Sequence, residues 1–156
     1  MLLPDVNVCI NAMRRDAEHH APLSQWLSAR LTGEEPVGIS ELVLSSLVRI
    51  TTNHRVFGQP STPEQAMDFC AALRAAPSAV AVRAGPRHWS IFERLMTQTR
   101  ARANDVPDAY LAALALEQGA TWVTRDRGFA RFPGLRVQDP LGAGPVENGA
   151  TRRNRD

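Results

Sequence analysis

Asp5, Glu41, Asp108 and Asp126 are the residues of this sequence whose type and placement could do chemistry together. Asp5 ends an apolar stretch near the N-terminus, where a carboxylate costs burial energy unless it has a partner. The other three have ordinary readings as well. An acid in a first helical turn is favoured by the helix dipole, which suits Glu41 and Asp108, and Asp126 fits a turn or cap. Gathered in one place, four carboxylates repel one another and need a cation. Their hard oxygens select Mg²⁺, with Mn²⁺ as a substitute, ions that keep waters and bind phosphates alongside one or two carboxylates. Such an ion activates water and stabilises a phosphodiester transition state, and two ions roughly 3.5–4 Å apart divide those tasks.

The elements that must position these acids alternate. A strand at Leu2-Leu3 leads into Asp5, and a helix follows from Val6 towards Met13. Leu23, Trp26, Leu27 and Leu31 recur at helical spacing within a helix over Ala17–Leu31, which Gly33 stops. A strand at Val37–Ile39 precedes Ser40, an N-cap for a largely buried helix Glu41–Thr52. Thr62-Pro63-Glu64-Gln65 reads as a capping box with Pro at the first helical position, opening a helix to about Ala76. Ala79–Val82 is a strand. Pro86 opens a helix fading near Arg102, and Pro107 opens one closed by Gly119. Trp122–Thr124 is a fourth strand, and Arg136–Val137 a possible fifth, beyond a helical piece around Phe129.

Strands alternating with helices predict an α/β fold, a three-layer α/β/α arrangement around a central parallel sheet of four to five strands. In such sheets sites form outside the carboxyl ends of the strands, near the switch in strand order. The four acids fall at equivalent ends of different elements, Asp108 in a first helical turn, so they are expected to converge.

At 156 residues the chain reads as a single domain with a real core. Residues 1–140 carry the pattern. The stretch 141–156 is Gly- and Arg-rich and is expected to be a disordered tail. No apolar run approaches the roughly 20 residues of a membrane span, and the first ten residues do not resemble a signal peptide. Cys9 and Cys70 lack metal-ligand spacing and read as buried, reduced core residues of a cytoplasmic protein. All 18 basic residues are arginine. Setting the four acids aside leaves 12 acidic residues against those 18, a balance that suits nucleic acid. A guanidinium also matches phosphate with two hydrogen bonds.

Four segments in order now carry a resemblance: Pro4-Asp5-Val6-Asn7, Ser40-Glu41-Leu42-Val43, Asn104 through Pro107-Asp108-Ala109-Tyr110-Leu111-Ala112-Ala113, and Val123-Thr124-Arg125-Asp126-Arg127-Gly128-Phe129. The chain resembles the PIN-domain ribonucleases of the VapC toxin type. Arg49-Ile50-Thr51-Thr52-Asn53 and Arg87-His88-Trp89 look like a subgroup common in mycobacteria. The resemblance implies a PIN-like fold and a Mg²⁺-dependent endoribonuclease, the toxin of a type II toxin–antitoxin pair. It also implies a homodimer inhibited by a cognate VapB-like antitoxin, with RNA as substrate. It carries the acidic site onto Asp5, Glu41, Asp108 and Asp126, with Asp5 and Asp108 as the firmest metal ligands. It makes Asn7 and Thr124 polar residues that orient those acids or a water.

Asp105, three residues before Asp108, reads either as a site member or as the cap of that helix, and the alignment through Asp-Ala-Tyr-Leu-Ala-Ala favours the cap. Arg125 and Arg127 read equally as phosphate contacts or as a solvated helix start, and Arg14 and Arg15 as RNA contacts or as cations at a helix end. His19, His20, His54 and His88 lack ligand spacing. Trp26 and Trp89 sit in apolar stripes and read as core or dimer interface. Among rival functions, an aspartyl phosphatase or phospho-receiver also places an acid after strand one, but relies on a lysine that this chain lacks. A PIN-like interaction module without catalysis is the alternative that the four acids count against.

Overall fold

Leu2–Pro4 (β1) lies at the centre of a five-stranded sheet with order β3-β2-β1-β4-β5, every neighbouring pair parallel. The structure is a computed structural model and describes residues 1–142, so most of the expected tail, residues 143–156, lies outside the described residues. The other strands are Val37–Ser40 (β2), Ala79–Val82 (β3), Thr121–Val123 (β4) and Arg136–Gln138 (β5). The helices are Val6–Met13 (α1), His20–Leu31 (α2), Glu41–Thr51 (α3), Pro63–Ala75 (α4), His88–Thr99 (α5) and Asp105–Glu117 (α6). The chain runs outward from β1 to β3 on one side, then returns past β1 to lay down β4 and β5 on the other. The order therefore reverses between β1 and β4, and the crevice at that reversal is where an open sheet of this kind takes ligands.

Alternation along the central strands feeds both faces of the sheet. Leu3 and Trp122 enter the main core, whereas Leu2 and Val123 join Val8 and Leu23 in a smaller cluster on the opposite side. Gly38 in β2 is held by packing: a Cβ there would lie 2.7 Å from Leu3 Cδ2 and 2.8 Å from Val82 Cγ2. Helix α4 carries the expected capping box, in which the Thr62 hydroxyl accepts from Gln65 N and Gln65 Oε1 accepts from Thr62 N.

The bounds of helices α2, α5 and α6 differ from the sequence reading. Helix α2 starts at His20 instead of Ala17, because residues 14–20 form turns in which Ala17 N–H bonds Arg14 O and His20 N–H bonds Ala17 O. The Arg14 fork on the Asp16 carboxylate holds that bend. Helix α5 starts at His88, beyond Pro86, and ends where Arg100 turns left-handed at φ 54°. Helix α6 starts at Asp105, two residues before Pro107. Proline is tolerated there because the first N–H groups of a helix have no intrahelical acceptor.

Burial corrects two further expectations. Helix α3 buries Val43, Leu44 and Leu47 but leaves Leu42 exposed. Trp89 is 61% exposed, so of its two readings, core or dimer interface, the core one does not hold. Cys9 and Cys70 are buried free thiols, and burial pushes the Cys9 thiol up to about 12. Among the described residues no helix is long and apolar enough to cross a membrane.

Candidate metal centre

Asp5 is the residue directly after β1, and its backbone N–H continues the sheet by bonding Val123 O at 2.8 Å. Thr124 follows β4 in the same way, bonding Gln138 O. Adjacent parallel strands thus deliver these two residues side by side, although 119 positions separate them in the sequence. The Asp5 side chain is 4% exposed. Its Oδ1 accepts from Val6 N–H at 2.6 Å, which caps α1. Its Oδ2 accepts from the Thr124 hydroxyl at 2.6 Å and from Asn7 Nδ2 at 2.7 Å.

Thr124 is saturated by its neighbours. Its hydroxyl donates once, to Asp5, and accepts twice, from Asn7 Nδ2 at 2.8 Å and from Asp126 N–H at 3.0 Å, which uses the full capacity of the group. Asn7 sits in the first turn of α1, and its Oδ1 accepts from Arg125 N–H at 3.3 Å. Asp5, Asn7 and Thr124 therefore form one locked network. Burial pushes the Asp5 carboxyl up to about 6, against the opposing pull of the Thr124 hydroxyl and the Val6 N–H. The negative charges of Asp108 and Asp126 add to the rise.

Asp108 projects from the first turn of α6 and is half-buried. Burial raises its carboxyl above the usual range, the Arg131 guanidinium opposes that, and the charges of Asp126 and Asp105 add to it. Asp126 is exposed and caps the short 3-10 turn Arg127–Arg131, accepting from Gly128 N–H at 2.7 Å. Glu41 begins α3 just past β2, the other neighbour of β1, and its Oε1 lies 3.2 Å from Arg83 and 3.7 Å from Arg74. Its side chain is 57% exposed and turned towards those arginines. So the charges of Asp5, Asp108 and Asp126 act on one another, while Glu41 stands at the neighbouring strand end with other partners.

In this arrangement no three acids, histidines or cysteines among the described residues are gathered closely enough to hold a metal ion by protein atoms alone. The donor chemistry nonetheless fits a divalent ion that keeps most of its waters, for which one or two carboxylates suffice. Asp5 accepts three hydrogen bonds of the about four that a carboxylate can take, so a lone-pair direction is left for a cation. Its buried negative charge, repelled by two neighbours, is the charge such a cation would compensate.

Arg125 lies 3.8 Å from Asp139 by its Nε, which is buried without a hydrogen-bond partner. Arg14 is committed elsewhere, to Asp16, Ser61 Oγ and Gln59 O. Asp105 is the first residue of α6 instead of its cap, and pairs with Arg131 at 2.9 Å. Arg131, Arg83 and Arg74 were not legible as site neighbours. The signal that could have pointed to Arg131 is its place at the end of the turn that Asp126 caps.

A sequence model of the PIN domain matches residues 2–135. The chain is 45% identical over 141 residues to Ribonuclease VapC43 of Mycobacterium tuberculosis, covering 90% of this chain and 96% of that protein. It is 40% identical over 140 residues to Ribonuclease VapC37 of the same organism, covering 90% and 97%. Among solved structures, VapBC2 from Rickettsia felis, bound to a DNA fragment from its promoter, superposes with a TM-score of 0.63 at 17% identity, covering 88% of this chain and 96% of that one. Mycobacterium tuberculosis VapC20, described as a sarcin-ricin loop cleaving toxin, gives 0.63 at 14% identity, covering 83% and 93%. At such identities the two structures speak for the fold.

Proposed function

The chain belongs to the PIN domain family, among its VapC ribonucleases, and from that premise we propose that Asp5, Asp108, Asp126 and Glu41 form a divalent-metal site that hydrolyses RNA phosphodiesters. The observation that carries the reading is the buried Asp5 carboxylate, fixed by Thr124 and Asn7 at the strand-order reversal and pressed by two further negative charges. A fold kept only to bind a partner would have no use for that cost.

A bound Mg²⁺ or Mn²⁺ would supply activation of water and stabilisation of the charge on the phosphorane-like transition state. The chain's own residues do the rest. Asp5 and Asp108 would hold the ion, with Asp5 fixed in orientation by Thr124 and Asn7. Supports of this kind typically matter about 10–100-fold for metal affinity or activity. Asp126 is tied to Asp5 through its N–H on the Thr124 hydroxyl and would face the water side of the site. Glu41 would join by rotating off Arg83 and Arg74. Those partners are themselves 74% and 58% exposed, and pairs so exposed cost little to break. Arg125 would meet substrate phosphate beside the site.

In biological terms the reading is the toxin of a type II pair, a cytoplasmic homodimer restrained by a cognate VapB-like antitoxin. The purified chain, freed of any antitoxin, is expected to cut cellular RNA with Mg²⁺ or Mn²⁺ and to stop in excess EDTA. RNA left intact in the presence of either ion would sink the proposal. Co-expression with the antitoxin encoded beside it should restore growth that the chain alone arrests.

A further inference from the structure

Arg131 closes the 3-10 turn that Asp126 caps, and its guanidinium is shared between two acids. Nη1 lies 2.9 Å from Asp105 Oδ1, and Nη2 donates to Asp108 Oδ2 at 2.9 Å. Its Cζ sits 5.0 Å from the centre of the Phe132 ring, and Phe132 is fully buried, so the side chain leans on a fixed wall. The group stays 35% exposed. It differs from Arg14, whose fork is 7% exposed and used up within the chain. It differs also from Arg83 and Arg74, which reach Glu41 from open solvent.

We propose that Arg131 holds Asp108 as an internal counter-cation, yields that carboxylate to the divalent ion, and then places the released arm of its fork on a phosphate of the RNA. The inference rests on the metal-dependent nuclease reading above. Asp105 is what makes the exchange possible, because it keeps the other arm while Asp108 is surrendered. Two cations on one half-buried carboxylate repel, so metal and guanidinium compete for Asp108 Oδ2. A guanidinium has five N–H donors in a planar fork, and the arm that leaves a carboxylate finds matching geometry in a phosphate. The released arm would then stand beside the carboxylate that holds the ion, which is where a phosphate sharing that ion must come.

The test uses the whole chain and two titrations, on wild type, Arg131→Gln and Arg131→Lys. Calorimetric titration of Mn²⁺ alone into metal-free protein should show several-fold tighter binding to Arg131→Gln than to wild type. Binding of a short fluorescent single-stranded RNA, with Ca²⁺ in place of Mn²⁺ and the RNA checked intact on a gel, should be weaker in Arg131→Gln. The salt slope of that binding should fall by about one. Arg131→Lys keeps the cation without the fork and should recover part of the RNA affinity; Arg131→Met, uncharged like Gln, carries the same comparison if the Gln variant fails to fold. Mn²⁺ affinity that is equal or weaker in Arg131→Gln overturns the inference, as does RNA binding with unchanged affinity and salt slope. Wild type that binds no Mn²⁺ and cuts no RNA sinks the nuclease reading with it, whereas wild type that does both beside an unchanged Arg131→Gln sinks this inference alone.

Discussion

The Thr124 hydroxyl donates to Asp5 Oδ2 at 2.6 Å, joining two residues that leave adjacent parallel strands at the point where the strand order reverses. The same oxygen accepts from Asn7 Nδ2 and from Asp126 N–H, so one side chain aligns one acid and ties the backbone of another.

Thr124→Val keeps the shape and removes all three of these bonds. The Asp5 carboxylate loses a donor, and two N–H groups lose their acceptor. Leaving buried polar groups unpaired costs about 1–3 kcal/mol each, and losing an orienting partner of a metal ligand costs about 10–100-fold in activity or metal affinity. Denaturant unfolding and cleavage rates should both register the change, and Thr124→Ser should recover most of it.

The raised Asp5 carboxyl sets a pH dependence. Its folded value of about 6 lies above the ordinary 3.8, so between these values the folded chain binds more protons than the unfolded one, and metal-free stability falls as pH rises. The stabilising contribution is full below the ordinary value and is lost through pH 6, amounting to about 3 kcal/mol for a shift of this size. Divalent metal favours the charged form, so metal affinity and cleavage should rise with pH over the same window. Urea unfolding of metal-free wild type and Asp5→Asn across that range checks the sign: wild-type stability should fall relative to that of Asp5→Asn as pH rises to neutral.

Gly38→Ala would push a methyl group to 2.7 Å from Leu3 Cδ2 and 2.8 Å from Val82 Cγ2, on the strand that pairs with β1. Overpacking of this kind costs about 1–3 kcal/mol. A lowered melting temperature with partial loss of cleavage is expected.

Thr62→Ala removes the capping box of α4, far in the chain from the four acids. It should lower stability by about 1 kcal/mol and leave the cleavage rate of the folded protein unchanged.

The alternation of strands and helices was legible because period and punctuation are local. So was the placement of Asp5, Glu41, Asp108 and Asp126 at element ends. The side-chain partners were not, because tertiary neighbours set them. Arg131 reaches Asp108 across 23 positions, and Glu41 finds Arg83 across 42. Asp105 reads as a cap when Pro107 is taken as the helix start, yet a proline inside the first turn leaves room for two residues before it. Trp89 shares an apolar stripe with Phe92 and Leu95, but it is 61% exposed where Leu95 is fully buried. Periodicity shows that a face is apolar without showing how far its neighbours cover it.

The most direct measurement pairs RNA cleavage with thermal unfolding of Asp5→Asn at neutral pH. Removing the buried charge should abolish Mg²⁺- or Mn²⁺-dependent cleavage while leaving the metal-free protein folded, with a cooperative thermal transition. Cleavage that persists in Asp5→Asn, with the same metal dependence as wild type, would contradict the assignment of Asp5 as the centre of the site.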